Sequence, residues 1–287
     1  MRRPRDTTPW GTTPMSPRRR ILHCRPRMDN EPFFTRDGDT FVPNPISQGP
    51  WNQTSLHGRV VIGLLAREIE RLHGDPDFMP ARLTVDMYRL PELSAATVVT
   101  RVMRDGRRIK VVDAEFISAG TPMARATCQL LRRTSNPAGS IWSPPPWGAP
   151  LPADIPAPEN VSGPLGGMWT IRPIAGTMGA PGVRRVWMSE VRELVGGDPW
   201  TPFARVAVGC DFASPFANAG DAGLAYINSD VTLYLHRLPV TEWVGYEVVN
   251  HGATDGVAIG ECFIHDEQGP IGSATVAALA QRVGMAG

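Results

Sequence analysis

Between His57 and His73 the apolar side chains Val60, Val61, Leu64, Leu65, Ile69 and Leu72 recur at three- and four-residue steps. That period predicts one amphipathic helix with a buried stripe, and Gly74 is placed to stop it. Downstream the period shortens towards two. RLTVDMYRL, ATVVTRVMRDG, RIKVVDAEFISAG and PMARATCQLLRR are rich in β-branched residues and are separated by Pro91, Asp105-Gly106 and Gly120. They predict a meander of antiparallel strands.

The same order recurs further along. SDVTLYLHRL, EWVGYEVVNH, GVAIGECFIHD and IGSATVAALAQR are punctuated by Pro239, Asp255-Gly256 and Gly269. TVDMYRLP and TLYLHRLP begin 148 residues apart, at Thr84 and Thr232, and the same offset carries Ala126-Thr127 onto Ala274-Thr275. HGRVVIGLL in the first half answers FARVAVGCD in the second at an offset of 146, and Pro50-Trp51 and Pro199-Trp200 precede these runs at an offset of 149. Anchors in one order, at nearly one spacing, indicate a duplicated module. The second helix is predicted to be the weaker, because Pro215 interrupts its pattern.

The predicted organisation is therefore a basic, proline-rich tail over 1–30, a first module over 31–134, a proline-rich connection over 135–166 and a second module over 167–287. The tail has no apolar h-region that would make it a secretory signal. Trp142 and Trp147 of the connection are expected to dock their rings on the protein surface.

Composition adds constraints rather than a function. Of 287 residues, 42% are hydrophobic and 20% charged, and the formal net charge is +1. That is ordinary globular composition, with no global field for a nucleic-acid or anionic-membrane partner and no apolar run long enough to span a bilayer. Cys24, Cys128, Cys210 and Cys262 stand apart from one another without zinc-site spacing, which predicts free or buried thiols in a reducing, cytoplasmic setting.

A long helix wrapped by an antiparallel sheet, twice in one chain, resembles the double hotdog fold, an α+β architecture. HGRVVIGLL, MYRLP and SDVTLYLHRLPVTEWVGYEV resemble, in order, the helix start, the aromatic-basic-proline strand end and the Asp-bearing strand of the acyl-CoA thioesterase II family. The resemblance implies hydrolysis of a fatty acyl thioester by an activated water, with no metal or nucleotide cofactor. It implies an aspartate, a hydroxyl or similar polar residue, and a glutamine in the second half. The aspartate maps onto Asp230. Counting from Trp243 places the polar residue at His251 or Asn250, and the glutamine position falls on Ala277, with Gln129 its counterpart in the first half.

Gly58, among the first free amides of the helix, is a candidate donor to a developing oxyanion. His57 could line the same pocket or cap the helix, and Thr254 is a further hydroxyl. Arg104, in the cationic RDG turn, is a candidate for the phosphates of coenzyme A. Met87, Met103, Phe116 and Met123 are candidate linings of an acyl slot. The expected partner is acyl-CoA or an acyl-carrier thioester, and exposed sheet edges leave room for a homo-oligomer. Loss of the glutamine leaves open a second reading, a weakened hotdog protein that binds a lipid thioester without cleaving it.

Overall fold

The computed structural model describes residues 31–145, 147–158 and 167–281. The basic tail and Cys24 lie outside them. Two short strands, β1 (Phe34–Asp37) and β2 (Thr40–Pro43), precede helix α1 (Gly58–His73), and strands β3 (Phe78–Met87), β4 (Ala96–Asp105), β5 (Ile109–Ser118) and β6 (Thr121–Arg132) follow it. The second module opens with β7 (Trp169–Ala175) and β8 (Arg185–Glu190), which lead into helices α2 (Pro202–Cys210) and α3 (Ala213–Asn218). A small hairpin of β9 (Ala219–Gly220) and β10 (Gly223–Leu224) then leads to β11 (Tyr226–Asn228), β12 (Asp230–Leu235), β13 (Val244–Thr254), β14 (Val257–Asp266) and β15 (Gly269–Ala280).

All strands except β9 and β10 form one 13-stranded sheet in the order β1-β2-β4-β5-β6-β3-β12-β15-β14-β13-β8-β7, with β11 added to β15. The duplication is visible at its centre. β3 and β12 pair antiparallel with Thr84 directly opposite Thr232, and the two hydroxyls hydrogen-bond at 3.2 Å. Equivalent positions meet only on an approximate twofold axis, so the two modules are joined edge to edge into a continuous double hotdog.

The sheet wraps the helices. Val60, Val61, Leu64, Leu65 and Ile69 are buried as their spacing predicts, whereas Leu72, in the last turn of α1, is 48% exposed. The glycines of the repeated sequence sit at tight contacts, Gly63 of α1 against α2 and Gly209 of α2 against β13. A Cβ on Gly63 would stand 2.0 Å from Val208 Cγ2, and one on the equivalent Gly209 would stand 1.9 Å from Tyr246 Oη. Gly63→Ala is therefore expected to destabilise the chain by about 1–3 kcal/mol through overpacking, read as a lower urea midpoint at unchanged slope.

The hairpin turns follow their sequences. Ala119-Gly120 and Asp255-Gly256 all have positive φ, the two-residue geometry that fits the twist of paired strands. The proline-rich connection lies partly along the sheet, although its two tryptophans behave differently. Trp147 stacks on His265 with ring centroids 4.1 Å apart and meets Trp187 edge-on at 4.8 Å. Trp142 is 83% exposed, contrary to expectation, because the chain around it makes no strand or helix that would hold it against the sheet. Cys128, Cys210 and Cys262 are buried free thiols, and burial pushes Cys128 up to about 12. No described helix is long and apolar enough to cross a membrane.

Candidate functional site

Pro215 organises the site from a distance. A proline cannot donate to the carbonyl four residues back, here that of Asp211, and its ring crowds that carbonyl. The helix accordingly breaks. Phe212 donates to Gly209 O at 3.0 Å and Ser214 to Asp211 O at 3.1 Å, and the chain restarts as α3. Asp211 is left at the break, 7% exposed, with its carboxylate against the N-terminus of α1. A Cβ on Gly58 would lie 3.3 Å from Asp211 Oδ2, so a side chain there would have to push the carboxylate back by a few tenths of an ångström.

Three further groups define this corner. Asn228, at the end of β11, donates through Nδ2 to Asp211 Oδ1 at 3.0 Å. His57 caps α1, its Nδ1 accepting from the Arg59 amide at 3.4 Å, and the same nitrogen lies 3.7 Å from Asp211 Oδ2. Burial, reinforced by the Arg59 charge, lowers His57 to about 3. The imidazole is therefore neutral, and with Nδ1 accepting, its proton resides on Nε2. Burial pushes Asp211 above its ordinary value, against the Asn228 hydrogen bond, the Arg59 charge and the Arg59 amide.

The corner opens into a cavity of about 610 Å³. Trp51, Val61, Met87, Leu90, Ala124, Met178, Leu224, Ile227 and Leu279 make its walls mostly apolar, and His57, Gly58, Asp211, Asn228 and Ser229 stand together among them. Val61 and Ala124, each 1% exposed, close the cavity against α1 and β6. A largely apolar chamber with a few convergent polar groups at a helix N-terminus has the form of a small-molecule site.

Gly58 and His57 thus stand at the cavity as the sequence suggests, and Met87 lines it. The other candidates lie elsewhere. Asp230 is half-buried at the start of β12, its Oδ1 accepting from the Ala277 amide at 2.7 Å, and it faces Asp86 across the sheet. Burial and the Asp86 charge raise it, against that amide. His251 is exposed on β13 and bonds Asn218 Oδ1 through Nδ1 at 2.9 Å. Asn250, Thr254 and Arg104 are exposed and do not line the cavity. Phe116 is a core residue and Met103 is 50% exposed. Gln129 alternates with the buried Cys128 and Leu130, which turns it away from the helix side of the sheet.

Asp211 and Asn228 were the residues missed. The signal for Asp211 is a mismatch inside the repeat: FARVAVGCD carries Asp where HGRVVIGLL carries Leu65, so a charge replaces an apolar residue on a buried helical stripe. The equivalent corner of the other module is filled instead. Leu65, Pro80 and Phe203 occupy the places of Asp211, Asn228 and His57. The cavity there, lined in part by Pro80 and Phe203, holds only about 230 Å³.

Residues 47–131 match the model of the acyl-CoA thioesterase N-terminal domain, and residues 144–279 match that of the acyl-CoA thioesterase C-terminal domain. Among solved structures, a candidate thioesterase from Novosphingobium aromaticivorans shares 16% identity, covers 88% of this chain and 99% of its own, and superposes with a TM-score of 0.69. The TesB protein of Mycobacterium avium subspecies paratuberculosis shares 14% identity over 86% of this chain and 96% of its own, with a TM-score of 0.65. An acyl-CoA thioesterase II from Mycobacterium marinum shares 15% over 85% and 94%, with a TM-score of 0.60. At these identities the likeness to the solved structures is one of fold. No curated protein sequence matches the chain.

Proposed function

Because the chain belongs to the acyl-CoA thioesterase family, carrying its N- and C-terminal domains in tandem, we propose that it hydrolyses acyl-CoA to the free acid and coenzyme A, with Asp211 as general base. The observation that carries this reading is the Asp211 carboxylate held between Asn228 and the N-terminus of α1 at the polar corner of an apolar cavity.

The chemistry follows from that placement. A water held by Asp211 and Asn228 attacks the thioester carbonyl carbon and gives its proton to Asp211. The carbonyl oxygen becomes negative, and the Gly58 amide at the N-terminus of α1, where the helix dipole is worth roughly half a charge, stabilises it. Collapse breaks the C–S bond and expels the thiolate, which takes the proton back from Asp211. His57, neutral and protonated on Nε2, is a further donor beside the same carbonyl. The acyl chain occupies the apolar walls towards Val61 and Ala124.

Ala277 favours a second reading. Its side chain offers nothing to a water where the family resemblance calls for glutamine, and a protein that only binds acyl-CoA would tolerate this. The two readings separate in one assay, free-thiol release from short, medium and long acyl-CoAs. Turnover supports hydrolysis, whereas saturable binding with the thioester intact overturns it. The same panel tests the chamber. Ala124→Leu is expected to exclude two or three methylenes, each worth about 0.8 kcal/mol, and so to lower kcat/KM for long chains relative to short ones by roughly tenfold or more.

A further inference from the structure

The repeat gives both modules an arginine at the same place. MYRLP and LHRLP set Arg89 and Arg237 148 residues apart, just beyond β3 and β12. Arg237 is fully engaged, its guanidinium bidentate on the buried Asp266 at the end of β14. The same offset carries Asp266 back to Ser118 at the end of β5, whose hydroxyl bonds Ser94 Oγ at 2.7 Å. Arg89 therefore lacks the carboxylate that Arg237 has, and among the described residues its guanidinium makes no hydrogen bond or ion pair. An arginine that ties turns together in one module is left free in the other.

Arg89 instead lines the cavity. Its amide and that of Tyr88 both donate to Met123 O, at 3.2 and 2.9 Å, which fixes the backbone while the side chain stays exposed. Exposure rises along this wall. Met87, whose Sδ lies 3.3 Å from where a Cβ on Gly58 would stand, is half-buried at the polar corner, whereas Tyr88, Arg89 and Leu90 are exposed. Arg89 lies two residues beyond Met87, at most about 7 Å of chain, and so stands at the mouth. Pro50 and Trp51 line the same cavity, and their segment is tied to that of Arg89 by Leu56 N to Pro91 O at 2.8 Å and Leu93 N to Thr54 O at 2.6 Å. With His57 neutral, the charged side chains among the described lining residues are Asp211 and Arg89. The anion is at the inner corner and the cation at the rim.

We propose that Arg89 binds a phosphate of the group that carries the acyl thioester. The proposal rests on the reading of this cavity as the thioester site. With the thioester carbonyl at the Asp211 corner and the acyl chain along the inner walls, the pantetheine arm leaves through the mouth. That arm is uncharged, and its phosphate follows at the far end. A guanidinium offers paired N–H donors that match two phosphate oxygens. Arg104, the cation that the sequence offers for this role, does not line the cavity.

The test compares one acyl group on coenzyme A, on phosphopantetheine and on N-acetylcysteamine, which keeps the reacting end but has no phosphate. Arg89→Ala is expected to lower the preference for acyl-CoA over the N-acetylcysteamine thioester, as a ratio of kcat/KM values, by about tenfold or more, the scale of a hydrogen bond to a charged group. The loss should lie in KM. Arg89→Lys, which keeps the charge without the fork, is expected to recover part of it, and added salt should erode the wild-type preference. A loss shared by acyl-phosphopantetheine assigns Arg89 to the phosphate that coenzyme A and acyl carrier protein have in common, and a loss confined to acyl-CoA assigns it to the nucleotide phosphates; both support the proposal. An unchanged preference in Arg89→Ala would overturn it. The same contrast can be read without turnover, from calorimetric titration with coenzyme A and pantetheine: Arg89→Ala should weaken coenzyme A about tenfold relative to pantetheine, and equal weakening of both overturns the assignment. If Asp211→Asn still releases thiol at the wild-type rate while Arg89→Ala loses the preference, the base assignment falls and Arg89 keeps its role. If Asp211→Asn is inactive while the preference stays fixed in Arg89→Ala, only the role of Arg89 falls.

Discussion

Asp211→Asn is expected to slow thiol release from acyl-CoA by about a hundredfold to ten-thousandfold, the range for removing a general base, with KM little changed. The substitution keeps size and shape, and an amide oxygen can still accept from Asn228, whose Nδ2 now lies 3.0 Å from Oδ1. What disappears is the capacity to take a proton. The pH profile carries the same signature. Burial sets Asp211 above its ordinary value, so the base form fails as pH falls through that raised value, and the acid limb should lie above the usual aspartate range. His57, at about 3, is neutral throughout the working range and adds no limb there. Asp230→Ala in the same assay discriminates further, since its carboxylate holds the Ala277 amide outside the cavity lining. A loss confined to the Asp230 variant would return the base to that residue.

Asp266→Ala should have the largest effect on stability. The Asp266 side chain is fully buried at the end of β14 and paired with Arg237. Arg237 meets it bidentately, Nη1 to Oδ2 at 2.5 Å and Nη2 to Oδ1 at 2.6 Å, and the Val240 and Gln268 amides each add a bond at 2.9 Å. These contacts tie the turn after β12 to the β14–β15 hairpin. Removing the carboxylate strands two amides and leaves the guanidinium with its bond to Gly269 O at 3.1 Å, at a cost of about 3–5 kcal/mol for a broken buried pair. For a chain of this size that is a fall in Tm of roughly 10 °C. Burial alone would raise Asp266, but the Arg237 and amide bonds outweigh it and hold it below its ordinary 3.8. A depressed carboxylate contributes stability that is present above the unfolded value and lost as pH falls through the folded one. The gap between wild type and variant should therefore be full at neutral pH and close only in strong acid. Thermal melts at several pH values check both the size and the sign.

The fold was legible because its signals are periodic and occur twice. α1 covers Gly58–His73 as the helical spacing requires, and the Thr84–Thr232 offset reappears as a physical contact between the two modules. The site was less legible, for two reasons. The reading followed the aspartate on the strand with the clearest family likeness, Asp230, whereas the cavity is lined by Asp211, at a helix break that only the later Pro215 creates. His251 and Asn250 were counted from Trp243 along β13, but that strand carries them onto an exposed stretch away from the cavity. Trp142 and Trp147 show the limit of composition: similar tryptophans in one proline-rich stretch, of which one finds His265 and Trp187 to pack against and the other stays exposed.

The filled corner of Leu65, Pro80 and Phe203 bears on how such a chamber can change. In a symmetric pair of identical subunits every substitution is made twice, so neither of two equivalent sites can be remodelled alone. Joining the modules in one chain, with Thr84 against Thr232 where the subunit boundary would have run, removes that constraint. The two corners can then differ, and they do: one carries Leu65, Pro80 and Phe203, the other Asp211, Asn228 and His57. Loss of symmetry here sets a packed corner in one half of the sheet against a roomier, polar-lined one in the other.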